Sequence, residues 1–259
     1  MPAPPDPSSD VPPEFYFTRL IYSGGRGGFY SGGESSPRLG SERSCASLAA
    51  GEGGGGGGGS WATDYPASDC KFMWGVERLT GVHVYDRTPH SVAIMDPELF
   101  KYPYVYVVEP GRMRLSDEEV VRLREYMNRG GFVHFDDFWG LGERGNVEFE
   151  LNRIFPEREI RQLDMKEEIF HTFFDVHTVV QIPNVSNGCS GGPTWERADD
   201  TQPRIYGVSD DDGRLMTVIT YNSDLGDAWE WMDRPCYPEA YSSQAYRMGI
   251  NFIIYSMSH

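Results

Sequence analysis

A chain of 259 residues with 39% hydrophobic content is long enough to bury one sizeable core. Its formal net charge of −16 repels phosphate backbones and anionic headgroups, which argues against nucleic acid or a membrane surface as partner. That charge leaves a small polar ligand, a divalent metal or a protein partner. No apolar run of about 18 residues occurs, so no membrane insertion is expected.

Residues 1–13 are rich in Pro and Ser and are expected to form a disordered tail. They carry neither a basic n-region nor an apolar h-region, so the chain reads as soluble and cytoplasmic. "EFYFTRLIY", 14–22, is aromatic and β-branched without a breaker, the pattern of a buried strand. From 23 to 60 the composition shifts and ends in seven consecutive glycines, a run that cannot offset its own ordering entropy. The expected organisation is a single domain over 14–259 with a Gly-rich insertion at 23–60.

"PASDCKFMWGVERLTG" predicts a helix closed at Gly81, with Phe72, Val76 and Leu79 on its apolar face. Asp64 or Ser68 would cap it, and Trp61 would plug the core. "VHVYD" and "YPYVYVVE" (102–109) read as strands. "LSDEEVVRLREYMNRGG" carries a capping box, Ser116 with Glu119, an apolar stripe of Val120, Leu123 and Met127, and a Gly130–Gly131 stop. "FVHFDDF" is the next strand. Near-continuous apolar strands around a helix imply a parallel crossover and a sheet covered on both faces. "NVEFELNRIFP" reads as a helix closed by Pro156, "EIRQL" as a short strand, and 204–222 as a hairpin around "DDDG". The C-terminal helix presents Ala245, Met248, Phe252 and Tyr255. The fold class is α/β, a flavodoxin-like doubly wound, mostly parallel sheet with an antiparallel hairpin addition.

In such sheets ligands sit beyond the carboxyl ends of the strands. That selects Arg26 after the first strand, Glu109 after the third, and "HFDDFW" after the fourth, with His134, Asp136, Asp137, Phe138 and Trp139. A buried Asp needs a partner. One of the two could cap the following helix and the other pair with Arg19 or Arg26; otherwise both face a ligand. "WATDYP" adds Trp61, Asp64 and Tyr65 as a wall, and the non-periodic 222–243 adds Asp224, Asp227, Trp229, Trp231 and Tyr241. Aromatic faces beside carboxylates suit sugar rings and cationic ligands. No metal motif is present, although His134, Asp136, Asp137 and His171 could contribute ligands to a divalent metal; no organic cofactor is expected. The four cysteines have no zinc spacing and are too sparse for a disulfide framework, although an oxidising compartment leaves room for one bridge, Cys189–Cys236 for instance. "NGCSGG" lacks the strand and helix of a nucleophile elbow, and the glycine runs match no phosphate loop.

Taken together, "FYFTRLIY", "WATDYPASDCKFMWGVERLTG", "DPELFKYPYVYVVEPGRMRLSDEEVVRLREYMNRGGFVHFDDFWG", "RIFPEREIRQLDMKEEIFHTFFDV" and "TYNSDLGDAWEW" resemble the bacterial domain-of-unknown-function family 4159 (DUF4159). That family resembles the class I glutamine amidotransferases, which implies a flavodoxin-like sheet and places a nucleophile after the strand Phe132–Phe135. This chain has Asp136, Asp137 and Phe138 there, so glutamine hydrolysis is not expected. Members of the family are often envelope proteins, which sets a periplasmic or envelope location against the cytoplasmic reading. The expected function is a non-catalytic binding module for a carbohydrate or other polar ligand. The alternatives are a metal-assisted hydrolase using Asp136 and Asp137, and an envelope assembly protein.

Overall fold

The computed structural model describes residues 13–24, 45, 59–84 and 89–259. Seven strands form one sheet: β1 (Thr18–Ile21), β2 (His90–Ala93), β3 (Tyr104–Val108), β4 (Phe132–Asp136), β5 (Arg161–Gln162), β6 (Arg204–Ser209) and β7 (Leu215–Tyr221). Their order is β2-β1-β3-β4-β7-β6-β5. The five strands from β2 to β7 are parallel, while β6 and β5 add antiparallel to the β7 edge. Every residue of β1, β3, β4 and β7 is buried, as a sheet covered on both faces requires.

The two faces are legible in β3. Tyr104, Tyr106 and Val108 point into one core and Val105 and Val107 into the other. The first core is covered by helices α1 (Ala67–Thr80), α5 (Leu225–Glu230) and α6 (Glu239–Ser258), the second by α2 (Asp117–Asn128) and α3 (Gly140–Ile154). A short helix α4 (Val185–Ser190) lies in the long connection between β5 and β6. The mixed α/β class and the hairpin addition are as expected. The capping box of Ser116 and Glu119 is present, and Gly81 closes α1 in the left-handed region at φ 78°. No helix among the described residues is long and apolar enough to cross a membrane.

Several expectations fail at this level. Of the strand expected at 82–86, the described part, 82–84, holds a bridge between Val84 and Phe15, and 85–86 lie outside the described residues. The sheet edge is formed instead by "HSVA", where only Val92 is buried, so an edge strand needed no apolar run. Leu79 is 49% exposed, because the last turn of α1 leaves the face that Phe72 and Val76 bury. Neither Asp64 nor Ser68 caps α1: Pro66 stands at the N-cap with no side-chain cap. Helix α3 begins at Gly140, ahead of the predicted Asn146, and "NGCS", which was not expected to be helical, lies in α4. All four cysteines are paired, Cys45 with Cys70 and Cys189 with Cys236. Two bridges exceed the expectation of at most one, for which Cys189–Cys236 was the example; Cys45–Cys70 joins residue 45 to α1.

Candidate functional site

The turn after β4 resolves the two adjacent carboxylates. Asp136 is wholly buried and belongs to the core. Its Oδ2 accepts the hydroxyl of Tyr106 at 2.6 Å and the backbone N–H groups of Leu225 and Gly226 at 2.9 and 3.2 Å. Its Oδ1 accepts the Thr220 hydroxyl at 2.6 Å. Asp136 therefore accepts the first two N–H groups of α5, whose N-cap is Asp224, and does not cap the helix that follows it in sequence. Burial pushes its pKa up to about 6 despite these donors. His134 is fixed in the same network between Tyr104 (2.8 Å) and Thr220 (3.1 Å), and burial holds it down to about 3, a neutral imidazole.

Asp137 turns the other way. It adopts a left-handed backbone at φ 56°, and among the described residues three further non-glycine residues do the same, Asp64 (φ 60°), Glu109 (φ 49°) and Asn222 (φ 55°). Such residues cost free energy and cluster where the surroundings impose them. Asp64, Glu109 and Asp137 all line one cavity of about 210 Å³ at the carboxyl ends of the strands. Asp224 and Asp227 reach it from α5, Glu143 from the first turn of α3, and Glu196 from the loop after α4. Arg112 and Arg197 are the cations of its wall, at 3.2 Å from Glu109 and 3.8 Å from Glu143 respectively. Seven carboxylates thus face two guanidinium groups that already have partners.

Burial is the largest effect on the innermost acids. It raises the pKa of Asp64, Asp137 and Asp224 well above the usual range, and mutual repulsion adds to it. Asp227 is raised for the same first reason, offset by hydrogen bonds from Val185 N (2.6 Å) and Trp231 Nε1 (3.1 Å). Glu230, beside Asp64 and Asp227, is pushed up to about 7, chiefly by burial. One oxygen each from Asp137, Glu196 and Asp224 falls within 4.8 Å of the others, and so it does for Asp64, Asp227 and Glu230. Such spacings fit a cation among oxygen ligands.

The remaining sequence candidates divide cleanly. Trp139 lines the cavity and donates its indole N–H to Asp137 Oδ1 at 2.8 Å. Trp229 is wholly buried and stacked on Phe72 at 4.0 Å, and Phe138 and Trp61 belong to the other core. Tyr65 donates to the Pro89 carbonyl and packs on Trp61. These four do not meet the cavity because filling the sheet faces needs their volume. Trp231 and Tyr241 pack at the margin of the first core. His171 pairs with Asp175 at 2.9 Å, outside the cavity. Arg26 lies outside the described residues. Arg19 pairs with neither Asp136 nor Asp137 but with Asp69. The sequence reading missed Thr63, Arg112, Glu143, Asn184, Glu196 and Arg197, which also line the wall. Thr63 stood inside "WATDYP", Arg112 three residues past Glu109 and Glu143 one turn into the helix that follows "HFDDFWG", close enough to recognised motifs to be found.

A family model described as a domain of unknown function, DUF4159, matches residues 45–257. The chain belongs to this family. The match covers every described residue lining the cavity, so the acidic site lies within the DUF4159 domain itself. No curated protein matches the chain significantly.

Proposed function

We propose that the domain is a non-catalytic binding module that receives a positively charged polar group in the acidic cavity, on a flavodoxin-like, amidotransferase-like scaffold. The observation that carries this reading is the balance of charge: seven carboxylates and two partnered arginines around about 210 Å³. A volume below the roughly 300–1,000 Å³ of ordinary ligand pockets suits an ion or one small cationic group. The order β2-β1-β3-β4-β7 of the parallel strands is that of flavodoxin-like sheets, and the cavity sits where such sheets bind ligands. The left-handed turn at Asp137 supports the amidotransferase comparison, because a nucleophile elbow is strained in the same way. A carboxylate stands there, and Thr63 is the one hydroxyl side chain among the lining residues.

A carbohydrate would have only Trp139 to stack on, so the cavity favours charge over sugar faces. The Asp137–Glu196–Asp224 group supports the metal-assisted reading as second choice, with Asp137 and not Asp136 as the available carboxylate. The test is the melting temperature of the purified protein at pH 7.5 against Mg²⁺, Ca²⁺, Mn²⁺, organic ammonium ions and neutral sugars. A ligand of the native state raises melting by mass action. Cations should raise it, and Asp224→Asn, which removes one of the seven charges, should reduce the rise. A response to neutral sugars alone contradicts the reading.

A further inference from the structure

We propose that Asp64, Asp227 and Glu230 form a dedicated site for one hard divalent cation, separate from the Asp137–Glu196–Asp224 side of the cavity. This rests on, and deepens, the cation-binding reading. One carboxylate oxygen from each of the three residues lies within 4.8 Å of the others. Two oxygens on opposite sides of a Ca²⁺ ion, each at about 2.4 Å, stand roughly as far apart, so the triad already spans one coordination sphere.

A second observation is independent of that spacing. Asp64 Oδ2 is closed to solvent, and no hydrogen-bond donor reaches it. A buried oxygen left this way is destabilising until a proton or a cation meets it. The Asp64 carboxyl lies within hydrogen-bonding reach of Glu230, so without a cation the two carboxyls must share a proton. A cation between them satisfies both.

The supports around the triad act on orientation. Asp227 is held by Val185 N and Trp231 Nε1, donors of the kind that fix a ligating carboxylate from outside. The backbone carbonyl of Glu230 accepts Lys71 Nζ at 2.6 Å, which anchors the end of α5. An all-oxygen donor set selects Ca²⁺, Mg²⁺ or Mn²⁺ over zinc.

The experiment is calorimetric titration of chelator-treated full-length protein at pH 7.5 with Ca²⁺, Mg²⁺ and Mn²⁺, repeated on Glu230→Gln and Asp137→Asn. Binding of one ion per chain should weaken about 10-fold or more in Glu230→Gln, and by more than in Asp137→Asn. The reverse ranking overturns the inference while leaving the cavity reading intact. Equal and complete loss in both variants also overturns it, since one shared centre would then serve both triads. No binding of the three ions by the unaltered protein overturns it too, and the cavity reading then stands or falls on the organic cations of the melting panel. Should Glu230→Gln fail to fold, Tb³⁺ luminescence decides. Trp231, bonded to Asp227, should sensitise the ion, so Trp231→Phe should lower emission more than Trp139→Phe; the opposite order overturns the assignment.

Discussion

The guanidinium of Arg19 grips the carboxylate of Asp69, with Nε at 2.8 Å and Nη2 at 2.7 Å from Oδ1, and both side chains are wholly buried. The same guanidinium donates to the carbonyls of Trp61 and Thr63 and to the Ser68 hydroxyl, and lies over the Tyr106 ring. Strand β1 thereby fixes the segment 61–69, which carries Asp64 into the cavity wall. Removing one partner of such a pair strands a buried charge and costs about 3–5 kcal/mol, whereas replacing both with apolar residues of similar volume costs far less. Denaturant unfolding of Asp69→Leu, Arg19→Met and the double variant should show this: both singles strongly destabilised, the double partly recovered.

Asp136 and Asp137 should separate in the same assay. Asp136→Ala leaves the Leu225 and Gly226 amides and the Tyr106 hydroxyl without their acceptor, while the Thr220 hydroxyl keeps the Phe135 carbonyl. Each buried group left unsatisfied costs about 1–3 kcal/mol, so a loss of several kcal/mol is expected. Asp137→Asn keeps a residue type that tolerates left-handed backbone and removes a repelled charge. Its melting temperature should equal or exceed that of the unaltered protein, while its response to cations falls.

The contrast between these neighbours shows what was legible in the sequence. Strand end and turn were readable from "FVHFDDFWG", because apolar runs, glycine stops and a capping box are local signals. The partners of Asp136 were not, since Thr220 and Leu225 lie some 84 and 89 residues away and were brought close by β7 pairing with β4. Trp229 and Trp61 looked like binding walls because an aromatic residue in a non-periodic stretch carries no mark of which way it points. Glu196 and Asn184 stood in a loop with no pattern at all, and only the fold places them opposite Asp137.

Stability should fall as pH rises. Burial raises Asp136 to about 6 and Glu230 to about 7, above unfolded values near 3.9 and 4.3. The folded chain then holds protons that the unfolded chain has released, so this contribution is complete below about pH 4 and is lost as pH climbs through 6 and 7. Asp64, Asp137 and Asp224 act in the same direction, while His134, held down to about 3, opposes them below its unfolded value near 6.5 and is outweighed by the acids. In EDTA the protein should melt higher at pH 5 than at pH 8, with a divalent cation narrowing the gap. A melting temperature that rises with pH in EDTA contradicts this.

The bridge Cys189–Cys236 closes 47 residues of chain and ties α4, next to Asn184 of the cavity wall, to the segment before α6. Loop-closure entropy over that span gives about 4 kcal/mol. Replacing both cysteines by serine should lower the melting temperature by roughly 8–16 °C. A free-thiol assay on denatured protein should find both bridges formed when the chain is made in an oxidising compartment.

The most direct measurement is a crystal structure of the protein soaked in Mn²⁺ at pH 7.5, with anomalous scattering used to locate the ion. The account predicts an anomalous peak in the cavity, bonded to carboxylate oxygens from among Asp64, Asp137, Asp224, Asp227 and Glu230. A cavity without a peak, in which Arg112 or Arg197 swings inward to neutralise the same acids, would contradict it.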